Sequence, residues 1–209
     1  MISLPRFYPI FDASCFSGTE ALLDSAEQLI QAGVQILQYR NKSGDAARML
    51  IEARELRQRL LYLESGTHCT LIMNDRADLC LAAEFDGLHV GQDDLSPESV
   101  RKIVGPDRWL GVSTHNPEQV GEADGSSAEY IAIGPVFGTA SKANPDPVVG
   151  LECVREARKL TRKPLVAIGG ITRANCRSVI EAGADSVAVI SDLIREPGKS
   201  AEEFLRILG

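Results

Sequence analysis

Residues 70–96 read TLIMNDRADLCLAAEFDGLHVGQDDLS. A short apolar run, Leu71-Ile72-Met73, stops at Asn74-Asp75, and a second, Leu88-His89-Val90, stops at Gly91-Gln92-Asp93-Asp94. Between them, residues 79–83 have the spacing of a short helix. The unit is strand, helix, strand. Its strands are continuous apolar runs, as strands buried on both faces are. Strands joined in this way run parallel and end side by side. Asp75 and Asp94, 19 residues apart in sequence, are therefore predicted to share one mouth. Two carboxylates there hold a hard cation such as Mg2+ or divide acid–base work. Helix capping and loop solvation are the plainer alternatives.

The same unit repeats in both directions. Upstream, strands are predicted at residues 6–10 and 34–39. The helices there are 21–32, capped by Ser17 with Glu20 and stopped by Gly33, and 46–62. Residues 68–74 and 87–90 are the next strands; Ser96-Pro97 then opens a helix, 109–113 is a strand, and Asn116-Pro117 opens a short acidic helix. Residues 130–134 are a strand, and 135–150, rich in proline and glycine, predict a long loop of the kind that closes over a ligand. A helix at 151–160, a strand at 164–168 and a helix opened by Thr172 and stopped at Gly183 follow. A strand at 186–190 and a helix capped by Ser200 with Glu203 complete the chain. Eight units of about 26 residues predict an α/β fold, a single-domain (β/α)8 TIM barrel over residues 1–209. An open doubly wound sheet is disfavoured because its GxGxxG turn is absent.

The net charge of −7 and pI of about 5.1 argue against nucleic acid or an anionic membrane as partner. Five cysteines without a CxxC pair read as reduced thiols of a cytoplasmic protein. The N-terminus lacks a signal-peptide pattern, and no apolar stretch is long enough to span a membrane. An apolar helix face serves a core and an interface between copies equally, so a homo-oligomer stays open.

Chemistry in such barrels sits at the carboxyl ends of the strands, and polar residues collect there. Gln38, Arg40 and Lys42 follow the second strand, Asn74 and Asp75 the third, Asp94 the fourth and Ser113 the fifth. Thr139, Ser141 and Lys142 lie in the long loop, Gly170 follows the seventh strand and Ser191 the eighth. Gly169-Gly170 allows backbone N–H groups to approach a phosphate beside a helix N-terminus, and Ser191 adds a hydroxyl. Arg40, Lys42 and Lys142, with Mg2+ on Asp75 and Asp94, suit a more highly charged group, a diphosphate. Two anionic small-molecule substrates follow.

The runs QYRNK (38–42), NDR (74–76), HVGQDDL (89–95), GVSTHN (111–116), GPVFGTASK (134–142) and AIGGI (167–171) closely resemble the thiamine-phosphate synthase family, in order and over nearly the whole chain. The resemblance implies a (β/α)8 barrel that joins hydroxymethylpyrimidine pyrophosphate to thiazole phosphate with Mg2+, or Mn2+ in its place. It implies that Gln38, Tyr39, Arg40, Asn41, Lys42, Asn74, Ser113 and Lys142 contact the pyrimidine substrate and its leaving group. Thr139, Ala140, Ser141, Gly170, Ile190 and Ser191 would hold the thiazole phosphate, and Asp75 and Asp94 the metal. Tyr39 and Asn41 depart from the leucine and acidic residue common in the family. His89 reads either as packed in the core or as supporting the side chains that line the site.

Three rivals remain. Thiazole tautomerases resembling this family tend to lose the second carboxylate and to carry a histidine where this chain has Pro135. A phosphosugar isomerase on a similar barrel would not need two carboxylates and three cations around a diphosphate. A non-catalytic phosphate-ligand sensor would not need to keep them.

Overall fold

The predicted strand–helix units close on themselves. The computed structural model describes residues 2–63, 68–139 and 147–209. Strands β1 (Phe7–Asp12), β2 (Ile36–Arg40), β3 (Thr70–Asn74), β4 (Gly87–Val90), β5 (Trp109–Thr114), β6 (Tyr130–Ile133), β7 (Leu165–Ile168) and β8 (Ser186–Val189) pair in sequence order. All pairs are parallel, and β1 against β8 closes the barrel, Phe7 opposite Val187 and Pro9 opposite Val189. Between and after them run α1 (Thr19–Gln31), α2 (Ala46–Leu63), α3 (Ala77–Ala82), α4 (Pro97–Val104), α5 (Pro117–Gly125), α6 (Gly150–Leu160), α7 (Cys176–Glu181) and α8 (Pro197–Leu208). The fold is the (β/α)8 barrel expected from the sequence. Among the described residues no helix is long and apolar enough to cross a membrane.

Successive strand residues point to opposite faces, and this parity sorts the core in two. Phe7, Leu37, Tyr39, Leu71, Met73 and Leu88 pack between strands and helices, whereas Tyr8, Ile10, Ile36, Ile72, Tyr130 and Val166 form a separate cluster inside the barrel. Gly111 makes room for that interior, because a Cβ there would lie 2.0 Å from the Tyr130 ring.

The amino ends of the strands are fastened by one device used three times. Asp86, Glu129 and Asp185 each stand one residue before an even-numbered strand. Each accepts a backbone N–H from the preceding strand: Leu71 at 2.8 Å, Leu110 at 2.6 Å and Leu165 at 2.8 Å. Each also pairs with an arginine from the helix outside, Arg57 of α2, Arg101 of α4 and Arg158 of α6. This end of the barrel is thus occupied with stability, and the opposite end is left for chemistry.

Helix starts follow local chemistry, with three departures from the predicted caps. Ser96 and Asn116 cap α4 and α5 as expected, accepting from the N–H groups of Ser99 and Gln119. α1 starts after Gly18 without a side-chain cap. The box predicted from Ser17 and Glu20 does not form, and the Glu20 carboxylate pairs with Arg59 of α2 instead. α7 starts at Cys176 rather than at Thr172, because Asn175 spans a turn, accepting from Thr172 N–H and donating to the Gly170 carbonyl. α8 starts at Pro197, whose fixed φ suits a first turn; Ser200 is buried within it and Glu203 pairs with Arg173.

Candidate active site at the barrel mouth

The carboxyl ends of the strands enclose a cavity of about 440 Å³, a size ordinary for a small-molecule site. Gln38, Arg40, Lys42, Asn74, Asp75, Asp94 and Ser113 line it on the side of β2 to β5. Thr139, Gly170, Ile190 and Ser191 line it on the side of β6 to β8. Ala140, Ser141 and Lys142, and with them the middle of the long loop, lie outside the described residues. The two described ends of that loop are stitched together, Val149 N–H to the Pro135 carbonyl and Gly150 N–H to that of Val136.

Tyr39 and Asn41 do not line the cavity. Strand parity turns Gln38 and Arg40 inward, so their neighbours face the helices. Tyr39 donates to Glu52 Oε2 at 2.6 Å and Asn41 Nδ2 to the same oxygen at 3.0 Å. A direct contact with the pyrimidine substrate, implied by the resemblance, does not suit either side chain.

Asp75 and Asp94 line one mouth as their sequence positions predict, and the two carboxyls are near enough for Asp94 to raise that of Asp75. Asp75 adopts φ 61°, a left-handed conformation that aspartate tolerates better than most side chains, and its N–H is held by the His89 carbonyl at 2.8 Å. Asp94 Oδ2 accepts from Gly91 N–H at 2.8 Å, which fixes the turn after β4. Burial, and then Asp94 itself, push the Asp75 carboxyl above the usual carboxylate range, against an opposing ion pair with Lys42. Lys42 answers part of this charge, and the donor chemistry of the pair also suits a divalent cation. Among the described residues no group of three or more His, Cys, Asp or Glu could cage a metal. Two carboxylates fit Mg2+, which commonly takes one or two and completes its shell with water and substrate phosphate.

Arg40 is paired with Asp12, the buried last residue of β1. Asp12 Oδ1 also accepts from the N–H and hydroxyl of Ser14. Asp12 was not among the residues expected at the site. Parity was the available signal, since Tyr8, Ile10 and Asp12 alternate on the inner face.

Beneath the cavity runs a buried hydrogen-bonded chain. Gln38 Nε2 donates to the Tyr8 hydroxyl at 2.9 Å, and Tyr8 and Tyr130 share a hydrogen bond of 2.9 Å. Tyr130 meets His89 Nδ1 at 3.1 Å, and His89 Nε2 meets the Ser113 hydroxyl at 2.9 Å. Burial pushes both tyrosine hydroxyls up, so they stay protonated and neutral. The chain links Gln38 to Ser113 across the floor and fixes both. His89 is the middle of that link, the supporting one of the two roles open to it from the sequence.

The remaining wall is a backbone cradle. Gly170 has φ 62°, and a Cβ there would lie 2.4 Å from the Gly138 carbonyl oxygen, so only glycine fits. Val136 and Phe137 donate to the carbonyls of Ile168 and Gly169, which brings Thr139 beside Gly170. Ser191 opens a single 3-10 turn, Ser191–Leu193. The helix N-terminus expected next to Gly170 is displaced, since α7 begins only at Cys176. The donors at this wall belong to turns.

Residues 7–193 match the thiamine monophosphate synthase family. The chain is 58% identical over 210 residues to thiamine-phosphate synthase of Koribacter versatilis, covering 99% of this chain and 97% of that one. It is 41% identical over 189 residues to thiamine-phosphate synthase of Shouchella clausii, covering 90% and 88%. The fold superposes on thiamine phosphate pyrophosphorylase from Pyrococcus furiosus with a TM-score of 0.84 at 30% identity, covering 97% and 95% of the two chains.

Proposed function

Because the chain belongs to the thiamine monophosphate synthase family, we propose that its barrel mouth joins hydroxymethylpyrimidine pyrophosphate to thiazole phosphate, giving thiamine phosphate and pyrophosphate. Asp75 and Asp94 would hold Mg2+, with Mn2+ able to replace it. When bound, the ion offsets the charge gathering on the departing pyrophosphate. Arg40 and Lys42, joined by Lys142 and Asn74, bind the same group. The bond from the pyrimidine methylene to pyrophosphate oxygen breaks with both electrons leaving on oxygen. The aminopyrimidine ring spreads the positive charge, and the thiazole nitrogen lone pair forms the new C–N bond. No protein nucleophile is required.

The protein's share is alignment and charge. Gln38 Nε2 is engaged by Tyr8, which leaves its oxygen to accept from the pyrimidine amino group. Ser113, held by His89, orients the ring from the other side. Thr139, Ala140, Ser141, Gly170, Ile190 and Ser191 hold the thiazole phosphate. Five free cysteines suit a reducing cytoplasm.

The observation that carries this reading is one cavity in which the Asp75–Asp94 pair and the cations Arg40 and Lys42 face a glycine cradle. The test is chromatographic detection of thiamine phosphate from the two substrates and Mg2+, with each component omitted in turn. Product that needs all three supports the reading. Isomerised thiazole phosphate without thiamine phosphate would contradict it in favour of a tautomerase.

A further inference from the structure

Glu52 carries a charge into a place where charge is costly. It lies in the second turn of α2, and its side chain is 2% exposed. Such a burial survives only when hydrogen bonds satisfy the carboxylate. Four groups do so. Tyr39 donates at 2.6 Å and Asn41 at 3.0 Å to Oε2, and Thr19 at 3.0 Å and Arg48 Nε at 2.9 Å to Oε1. Burial alone would push the Glu52 carboxyl up; its hydrogen bonds outweigh that and hold it below the usual carboxylate range.

The donors come from four segments: the end of β2, the loop after it, the first residue of α1 and the start of α2. Tyr39 and Asn41 alternate with Arg40 and Lys42. Asn41 also donates to the Tyr39 hydroxyl at 3.0 Å and accepts from Ser43 N–H at 2.9 Å. Whatever holds Tyr39 and Asn41 from outside the barrel fixes the rotation of this segment, and so fixes where Arg40 and Lys42 point inside it. An apolar residue at position 52 could fill the volume but could not grip the two outward residues.

We propose that Glu52 is a positioning residue for the leaving group: it latches the β2–α2 segment from behind, so that Arg40 and Lys42 meet the diphosphate together. The inference rests on the functional reading above for the identity of that group. The latch costs nothing in access to the cavity, because every group in it lies on the far side of the strand.

The test uses Glu52→Gln, which keeps the shape but removes the charge and makes Oε2 a donor facing two donors. The Michaelis constant for the pyrimidine pyrophosphate is expected to rise on the order of tenfold, as for a small misplacement of catalytic groups. That for thiazole phosphate should stay within about twofold. The inhibition constant of inorganic pyrophosphate with Mg2+ should weaken in step with the first. The double variant Glu52→Gln with Asn41→Asp returns a carboxylate–amide pair to the same spot and should recover most of the loss. Unchanged constants in a folded Glu52→Gln protein, or an equal rise for both substrates, would overturn the proposal. If that variant does not fold, Tyr39→Phe decides: a smaller but equally selective rise supports the latch, and no selectivity overturns it. Should the wild type lack turnover, the functional reading fails first. Calorimetric binding of pyrophosphate with Mg2+ to wild type and Glu52→Gln then judges the latch alone, equal affinities overturning it and a weaker Glu52→Gln complex supporting it.

Discussion

Arg173, beyond β7, grips Asp192, beyond β8, in three ways. Its Nε and its backbone N–H both donate to Oδ2 at 3.0 Å, and Nη2 donates to Oδ1 at 3.2 Å. Asp192 adjoins Ser191, and Arg173 lies three residues past Gly170, so the pair ties together the two turns proposed to hold the thiazole phosphate. Arg173→Ala is predicted to raise the Michaelis constant for thiazole phosphate several-fold while sparing that for the pyrimidine substrate. The side chains are 31% and 21% exposed, so the loss of stability should be only about 1 kcal/mol. Kinetics with each substrate varied in turn check this, and an equal effect on both substrates would count against the cradle.

Asp12 does for Arg40 what Glu52 does for its neighbours. Asp12→Asn removes the charge from a buried partner and leaves the guanidinium without its counter-ion. The predicted outcome is a loss of about 1–3 kcal/mol in unfolding free energy, with weaker binding of pyrophosphate. Chemical denaturation and a pyrophosphate titration of the same sample measure the two effects.

Asp75 is held in a costly state. Its carboxyl is raised by burial and by Asp94, so the folded state disfavours its charged form. The stability it lends is full below the unfolded carboxylate pKa and is lost as pH rises through the raised folded value. Asp75→Asn removes that cost and keeps a residue suited to φ 61°. Without metal at neutral pH the variant should be more stable by roughly 0.5–2 kcal/mol, and the gain should vanish in acid as Asp75 protonates in the wild type. It should also be inactive. Melting curves across pH, without metal, test the sign; a variant less stable at neutral pH would refute it.

At the opposite end of the barrel, Asp86→Ala strips Leu71 N–H and Arg57 of their shared partner. A stability loss of about 1–3 kcal/mol is predicted, with turnover per folded molecule unchanged. Altered kinetic constants in this variant would show that the two ends of the barrel are coupled.

Much of this was legible in the chain. The barrel was readable because each unit carries its own punctuation, an apolar run and a polar stop. Asp75 and Asp94 could be brought together because parallel strands end side by side. The helix caps at Ser17, Thr172 and Ser200 misled, because Glu20, Asn175 and Glu203 were drawn to partners distant in sequence or to a turn. Tyr39 and Asn41 stand off the cavity wall because a strand shows alternate residues to alternate sides, and both side chains bond to Glu52. Asp12 and the Tyr8–Tyr130–His89 chain depend on strands far apart in sequence, so no local pattern announces them.

Pyrophosphate release by wild type and Asp94→Ala, with both substrates and Mg2+ present, tests the metal role of the Asp75–Asp94 pair most directly. Rapid release is expected from the wild type, abolished when the ion or the pyrimidine substrate is omitted, and reduced by orders of magnitude in Asp94→Ala. Release that persists undiminished in Asp94→Ala would contradict the metal role of the Asp75–Asp94 pair on which the proposed chemistry depends.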